Sequence, residues 1–189
     1  MIDTSGLLEM RWHGRGGQGV VTSAGLLAEA AIDEGKYAQA FPSFGPERRG
    51  APVAAYVRIN SKEPIRIRAE IAEPDVVVVF DMGLIESAKV TSGLKEGGIL
   101  ILNTKKSLDE AVALFERKYK LAVVDASKIA QETLGVPIVN TTMVGALIKA
   151  MDVIKLESFV GPLKNRFGRL AERNINAMKR AYQETLVLE

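Results

Sequence analysis

The sequence predicts an α/β protein with a three-layer α/β/α fold: a mostly parallel open sheet, an antiparallel hairpin insertion and C-terminal helices. Short apolar runs alternate with segments whose apolar residues recur every three or four positions, which is the order of a βαβ series. A glycine cluster separates the first apolar run from the first helical segment. Because neither a linker nor a repeat interrupts this order, we expect one domain over residues 1–189.

The first half of the chain begins as strand, glycine turn and helix, and a glycine at position 35 is well placed to end that helix. Two later β-type runs are separated by too few residues for a helical crossover, so they predict an antiparallel hairpin. The predicted elements are strands over residues 7–12 and 37–41, a helix over 20–34, an ordered loop over 43–52, and the hairpin over 53–59 and 65–68.

The second half reads as a parallel βαβ series. Residues 76–80 are apolar without alternation, which is typical of a strand covered on both faces. The predicted strands here are residues 76–80, 99–102, 121–124 and 137–139, and the predicted helices are residues 82–90, 108–118, 128–134, 142–151 and one long or broken stretch over 156–186.

Composition excludes several classes of protein. The chain has 25 Lys and Arg against 23 Asp and Glu, and this net charge of +2 predicts neither a nucleic-acid nor a membrane partner. It has 0 cysteines, so it holds no thiolate-bound iron–sulfur cluster, and any histidine chemistry must use His13. Since we find no apolar run of about 20 residues and no basic, apolar leader, we expect a cytoplasmic protein.

The glycine cluster over residues 14–19 fits the G-x-G-x-x-G template between a strand and a helix. Such a loop lets backbone N–H groups and the positive helix end approach a diphosphate. It does not favour NAD, because Asp33 and Glu34 precede the second strand instead of ending it. It is not a P-loop either, because valines replace the required Lys and Ser/Thr. A tight turn with close helix packing explains these glycines equally well.

Polar residues follow the predicted strands at the edge where ligands of open α/β sheets bind. Helix capping is the commoner role of each one alone. Arg48 and Arg49 lie in the loop stiffened by Gly and Pro, where two guanidinium groups can hold phosphate, although a surface ion pair with Glu47 is the alternative. The strand-end residues are Asp81, Asn103, Thr104, Asp125, Asn140, Thr141 and Thr142.

Two side-chain groups are interpreted as structural or surface features. His13 precedes the glycine turn and is more often a structural residue at such a position than a ligand contact. The arginines of the last helical stretch predict a solvated or partner-facing surface; they are Arg166, Arg169, Arg173 and Arg180.

Four segments together resemble the gamma subunit of the 2-oxoacid:ferredoxin oxidoreductase family, in particular its pyruvate and 2-ketoisovalerate members. The resemblance spans nearly the whole chain, and the first two segments are long and specific. The segments are RWHGRGGQGVVTSAGLLAEAA, QAFPSFGPERRGAPV, IAEPDVVVVFD and AERNINAMKRAY.

The resemblance implies a subunit of an enzyme that converts a 2-oxoacid, coenzyme A and oxidised ferredoxin to acyl-CoA, carbon dioxide and reduced ferredoxin. It implies thiamine diphosphate, Mg²⁺ and [4Fe-4S] clusters on partner alpha, beta and delta chains, and no activity of this chain alone. We expect this chain to contribute to coenzyme A binding and subunit assembly. The alternatives are a purely structural assembly module and a nicotinamide-binding dehydrogenase. The candidate binding residues are Gly14, Arg15, Gly16, Gly17, Gln18, Gly19, Arg48, Arg49, Asn140 and Thr142. We expect none of them to be catalytic or to bind metal.

Overall fold

The computed structural model describes residues 6–43, 49–115 and 117–188. Within these ranges the strands are β1 (Leu7–Arg15), β2 (Tyr37–Pro42), β3 (Pro52–Asn60), β4 (Val76–Val79), β5 (Ile99–Asn103), β6 (Lys120–Val124) and β7 (Leu186–Leu188). The α-helices are α1 (Val20–Asp33), α2 (Leu108–Phe115), α3 (Ala126–Leu134), α4 (Asn140–Met151), α5 (Val160–Phe167) and α6 (Ala171–Glu184).

The strands form one mixed sheet in the order β2-β3-β1-β4-β5-β6-β7. Strands β1, β4, β5 and β6 are parallel neighbours, with Met10 beside Val76 and Val76 beside Ile99. Strand β3 lies between β1 and β2 and is antiparallel to both. The chain leaves β1 through α1 toward β2, whereas β4 to β6 extend from the other side of β1. The carboxyl ends of β1 and β4 therefore flank a topological switch point, the usual ligand crevice of such sheets.

Helices cover both faces of this sheet, so the predicted three-layer α/β fold with a mostly parallel sheet is confirmed. The larger core includes Met10 and Trp12 of β1, Leu27 of α1 and Met178 of α6. Burying a side chain of this size stabilises the fold by about 1.5–3 kcal/mol. Val76–Val79 is buried on both faces, as its uninterrupted apolar run predicted.

An irregular segment covers the other face of β1 to β3, where side chains from β1 and β3 hold residues 61–75 against the sheet. The buried guanidinium of Arg58 donates through Nε to Glu9 Oε1 (2.8 Å) and through Nη1 to the Ala69 carbonyl (2.8 Å). Arg11 donates to the carbonyl oxygens of Ile71 (3.2 Å) and Val90 (2.9 Å). On this face of β1 to β3, charge-assisted hydrogen bonds, and not the packing of a helix, hold the covering segment against the sheet.

The predicted hairpin over residues 53–59 and 65–68 is wrong in its second strand. Residues 65–68 form no strand, and Ile67 is exposed. The hairpin is made by β2 and β3 instead, and β1 occupies the other edge of β3. Since both edges of β3 are already paired, no position remains for a third neighbour.

Two more predictions needed correction. Residues 82–90 form only a 3₁₀ turn at Met82–Leu84 followed by turns, and Lys89 has a positive φ of 44°, outside the helical region. Residues 137–139 form no strand, because β7 already occupies the free edge of β6.

The last helical stretch, predicted as long or broken, is broken into α5 and α6 around Gly168, where φ is 51°. It ends slightly earlier than predicted, because β7 begins at Leu186. Within the described residues, no helix is both long enough and apolar enough to cross a membrane.

Candidate functional site

The glycine turn joins β1 to α1, and close packing requires two of its glycines. A Cβ on Gly14 would lie 2.4 Å from Val20 Cγ2, and a Cβ on Gly19 would lie 2.7 Å from Asn140 Cβ. Real Cβ atoms do not approach other atoms so closely. The tight-packing explanation of the glycine motif therefore holds for Gly14 and Gly19.

Three N–H groups of the turn donate to acceptors within the chain. The Arg15 N–H donates to Gln18 Oε1 (2.8 Å), the Gly16 N–H to the Ala51 carbonyl (2.9 Å), and the Gln18 N–H to the Arg15 carbonyl (3.0 Å). These bonds fix the turn before any ligand arrives, so these three donors are not available to one.

The N–H groups of Gly17 and Gly19 donate to no acceptor within the described part of the chain. Both residues have positive φ, 96° and 87°, which glycine adopts without strain. Helix α1 begins at the next residue, and its N-cap makes no side-chain hydrogen bond. Free N–H groups at a positive helix end form a ready anion site.

Arg49 lies beside this turn. Its backbone forms an isolated parallel bridge with Gly16, and its Cγ lies 4.0 Å from the position of a Cβ built on Gly17. The side chain is exposed, with no ion pair in the described part of the chain. The adjacent candidate, Arg48, lies outside the described residues, as does Glu47.

Arg15, in contrast, is already paired. Its Nε donates to Asp81 Oδ2 at 2.8 Å, and Asp81 Oδ1 accepts the Gly83 N–H at 2.8 Å. Asp81 follows β4, so this ion pair bridges the switch point between β1 and β4. The Arg15 charge neutralises a carboxylate that would otherwise repel an anion at the turn.

A polar cavity of about 300 Å³ lies outside the carboxyl ends of β4, β5 and β6. Asp125 caps α3 by accepting the Lys128 N–H (3.0 Å), and Asn103 Nδ2 donates to the Phe80 carbonyl and Ser127 Oγ (both 2.9 Å). The strand-end residues thus act as caps and cross-links as well as lining this cavity. The lining residues are Gln18, Phe80, Asp81, Met82, Asn103, Thr104, Lys105, Asp125 and Ser127.

Asn140 and Thr142 have different positions although both begin α4. The Asn140 side chain abuts Gly19, and the Asn140 carbonyl accepts Ser23 Oγ of α1 (2.9 Å). Thr142 is fully buried, and its hydroxyl donates to the Val139 carbonyl (2.9 Å). Only Asn140 therefore adjoins the glycine turn, and Thr142 serves the start of α4.

His13 is a buried part of β1. Its Nε2 accepts a hydrogen bond from Arg11 Nε at 2.9 Å. Burial and the neighbouring Arg11 charge lower the pKa of His13 to about 4, so the ring is neutral at pH 7. The structural interpretation of this histidine is therefore supported.

The topology differs from that of a dinucleotide-binding unit. Strand β3 separates β1 from β2, which moves the end of β2 about 5 Å farther from the glycine turn than in a sheet where the two are neighbours. Glu34 lies at the opposite end of α1 from that turn and accepts hydrogen bonds from Lys36 (2.8 Å) and Ser158 (2.6 Å). Neither Asp33 nor Glu34, the two acidic residues considered in the sequence analysis, lies near the glycine turn.

Two arginines of the last helices lie nearer to this site than the sequence analysis indicated. Arg166 of α5 donates to Thr22 Oγ1 in the first turn of α1 (3.3 Å). Arg173 of α6 lines a groove that Asn140 also lines. Only the packing of α5 and α6 against α1 and α4 brings them here, and nothing in their own sequence spacing indicates it. Arg180 instead pairs with Glu132 (2.7 Å) and Glu184.

A family model, pyruvate ferredoxin/flavodoxin oxidoreductase, matches residues 9–184. The chain is 55% identical over 185 residues to the Pyrococcus abyssi pyruvate/ketoisovalerate oxidoreductases common subunit gamma, covering 97% of this chain and 100% of that one. It is 47% identical over 179 residues to the pyruvate synthase subunit PorC of Methanothermobacter marburgensis, covering 94% and 97%.

Solved structures agree with this result. The Thermotoga maritima pyruvate oxidoreductase subunit PORC is similar with a TM-score of 0.86 and 38% identity, covering 97% of this chain and 99% of that one. A Magnetococcus marinus 2-oxoglutarate:ferredoxin oxidoreductase, solved with 2-oxoglutarate, coenzyme A and succinyl-CoA bound, gives a TM-score of 0.76 at 21% identity. It covers 94% of this chain and 31% of its own, and at this identity the likeness shows the fold alone.

Proposed function

The chain belongs to the pyruvate ferredoxin/flavodoxin oxidoreductase family as a gamma subunit, and we propose that it binds coenzyme A for that enzyme. The reaction converts a 2-oxoacid, coenzyme A and oxidised ferredoxin to acyl-CoA, carbon dioxide and reduced ferredoxin. In this proposal the gamma chain holds the phosphates of coenzyme A at the start of α1.

The N–H groups of Gly17 and Gly19, which have no acceptor among the described residues, are the observation that carries this proposal. They lie at a helix N-terminus. The N–H groups of the neighbouring residues Arg15, Gly16 and Gln18 already donate to acceptors within the chain. A diphosphate is a suitable acceptor for two such donors, since its oxygens are charged and the helix end is positive. The residues present therefore fit the phosphate portion of coenzyme A.

Arg49 adds a cation at the same place. Its side chain is exposed next to Gly17 and has no ion pair in the described ranges. A guanidinium group binds phosphate oxygens in pairs, which orients the ligand as well as attracting it. Arg48, which lies outside the described residues, is a second such cation in the proposal.

The remaining cofactors belong to partner chains in this proposal. The sequence contains 0 cysteines, and the described residues contain no group of three or more potential metal ligands. We propose that thiamine diphosphate, Mg²⁺ and the [4Fe-4S] clusters are held by alpha, beta and delta subunits, and that this chain is inactive alone. The gamma chain then presents the coenzyme A thiol to a partner.

We also propose that residues 1–189 form a single domain, which is supported by one family model over residues 9–184 and one continuous sheet. A cytoplasmic location stays a prediction from the sequence.

The test is a double substitution in the reassembled oxidoreductase. Arg48→Ala with Arg49→Ala removes both cations, so we expect KM for coenzyme A to rise by roughly tenfold or more, with kcat at saturating coenzyme A little changed. Arg66→Ala, which removes an exposed arginine from the irregular segment, is the matched control and leaves KM unchanged.

An unchanged KM in an intact complex overturns the proposal. If the double variant fails to assemble while KM of the residual complex is unchanged, the chain is a purely structural assembly module.

A further inference from the structure

The sheet ends on one side at β2, whose outer edge pairs with no strand among the described residues. The Ser43 N–H donates to the Ala54 carbonyl of β3 (2.8 Å). By antiparallel alternation, the odd-numbered residues of β2 therefore bond to β3, and the even-numbered ones direct their N–H and C=O groups outward. The outward groups of Ala38 and Ala40 have no hydrogen-bond partner in the described part of the chain.

This edge lacks the features by which proteins usually protect an exposed strand. Such edges are commonly very short, bulged or charged, so that no foreign strand can pair with them. The opposite edge fits that rule, since β7 is only 3 residues long. Strand β2 has 6 residues, YAQAFP, and none of them is charged. A free edge of this length and composition indicates that another strand covers it in the assembled protein.

Helix α1 carries an apolar stripe along the same edge of the sheet. Ser23, on the other side of α1, bonds to the Asn140 carbonyl of α4 (2.9 Å), so the stripe lies on the side of α1 away from α4. Ile32 of the stripe is 55% exposed, and a Cβ on Gly25 would meet no atom within 4 Å. Apolar surface beside an unpaired strand is typical of a protein interface. The stripe consists of Val21, Gly25, Ala28 and Ile32.

The charges beside this stripe indicate what kind of partner fits it. Glu29 and Asp33 of α1 are exposed, and neither makes an ion pair with another described residue. A partner surface with Lys or Arg beside its own outermost strand complements these two carboxylates. A second copy of this chain, paired through β2, would instead bring its own α1 with the same two carboxylates to this edge. Charge complementarity therefore favours a different, basic partner.

We propose that the outer edge of β2 and the α1 stripe together form the docking surface for a partner subunit of the oxidoreductase. The partner adds a strand to β2 through the main-chain groups of Ala38 and Ala40 and covers the stripe, and its basic side chains lie beside Glu29 and Asp33. The inference rests on the proposed function, since it requires that partner subunits exist. It uses none of the residues assigned to coenzyme A.

Hydrogen–deuterium exchange of the chain alone and in the reassembled oxidoreductase tests whether a strand covers β2. In the complex we expect the amides of Ala38 and Ala40 to exchange at least about tenfold more slowly, because they gain acceptors there. The Gln39 amide, which bonds to β3, is the internal reference and is protected in both states. Equal exchange of Ala38 and Ala40 in both states overturns the inference.

A matched pair of substitutions tests the stripe. Ile32→Lys places a cation on the stripe, and we expect the affinity of the chain for the remaining purified subunits to fall about tenfold. Leu186→Lys is the control, since Leu186 is equally exposed, at 56%, on the opposite edge of the sheet. Because both side chains are exposed, neither substitution changes the urea midpoint of the chain alone. Equal assembly of the two variants contradicts the inference.

The charge of the partner is tested by Glu29→Gln with Asp33→Asn. We expect this double variant to assemble severalfold more weakly than the wild type at low ionic strength, and the difference to shrink at high salt. Unchanged assembly at low salt overturns the basic partner.

Two further outcomes separate this inference from others. If light scattering shows that the chain alone is a dimer and that Ile32→Lys is a monomer, the surface holds a second copy and the inference is wrong. The coenzyme A test with Arg48 and Arg49 is unaffected by that result. If the wild-type chain joins no other subunit, the proposed function itself fails.

Discussion

Polar groups on the two sides of the α1 N-terminus differ in how completely the chain itself satisfies them. On the β4 side, Arg15 pairs with Asp81, and Asn103 bonds to its neighbours. On the α6 side, Asn140 Nδ2 and the guanidinium group of Arg173 have no partner in the described ranges. Bonded polar groups hold the scaffold, whereas unbonded ones at a helix end are available to a ligand. Position at the carboxyl edge alone does not distinguish these roles.

Gly19 lies where the two sides meet, and its substitution has the largest expected effect. Gly19→Ala forces a Cβ to 2.7 Å from Asn140 Cβ at a φ of 87°. We expect a loss of roughly 3 kcal/mol in the free energy of unfolding, from backbone strain and overpacking together. Urea denaturation measures it.

The control is Gly25→Ala within α1, where a Cβ meets open space, and we expect it to stabilise by about 0.5–1 kcal/mol. Equal effects of the two substitutions would show that Gly19 and Asn140 are not in the contact described.

His13 also belongs to the side of the turn where the polar groups are bonded to one another. Because its buried ring titrates, the free energy of unfolding depends on pH. The pKa of His13 is about 4 in the folded chain and about 6.5 when unfolded, so the unfolded chain binds more protons between these values. The contribution of the neutral His13 ring to the free energy of unfolding is complete above about pH 6.5. This contribution falls by roughly 3 kcal/mol as the pH drops to about 4.

Urea denaturation at pH 7 and pH 4.5 measures this dependence. His13→Gln keeps an acceptor for Arg11 and has no ring to titrate, so its stability falls less over this range than that of the wild type. The same fall in both proteins would show that carboxylates alone account for it.

Substitution of Arg15 has the smallest expected effect, and it distinguishes most clearly between the two sides of the α1 N-terminus. Arg15→Ala leaves the Asp81 carboxylate unpaired near the anion site, and we expect coenzyme A affinity of the reassembled complex to fall about fivefold, or about 1 kcal/mol. Adding Asp81→Asn removes that charge and restores affinity. Titration calorimetry on both variants checks this. An affinity that stays low in the double variant would mean that Arg15 holds the ligand directly.

Local pattern was enough to predict strands β1 to β6 and the turn, but it also predicted strands at residues 65–68 and 137–139 that do not form, and it missed β7. The uninterrupted valines of β4 predicted burial on both faces, and the glycine spacing predicted a turn between β1 and α1. Pairing partners were not predictable in the same way. Strand β3 inserts between β1 and β2, and β7 covers the edge of β6, and both choices depend on residues distant in sequence.

The candidate site shows the same limit. Gly17 and Gly19 were found because their conformation needs glycine, which is a local requirement. Arg173 was interpreted as part of a solvated or partner-facing surface, and it is exposed. Its position in the same groove as Asn140 was not predictable, because it depends on the packing of α6 against α4. Arg11 and His13 were not expected to form a buried pair, since the sequence does not show that an irregular segment covers that face of β1.

Titration of the full chain, labelled with nitrogen-15 glycine, tests the claim about the α1 N-terminus most directly. With coenzyme A added to millimolar concentration, we predict saturable changes in the amide signals of Gly17 and Gly19. The Gly16 signal, whose N–H already donates to Ala51, changes much less. Gly17 and Gly19 signals that do not move, or that move no more than those of glycines far from the turn such as Gly97, would contradict the account.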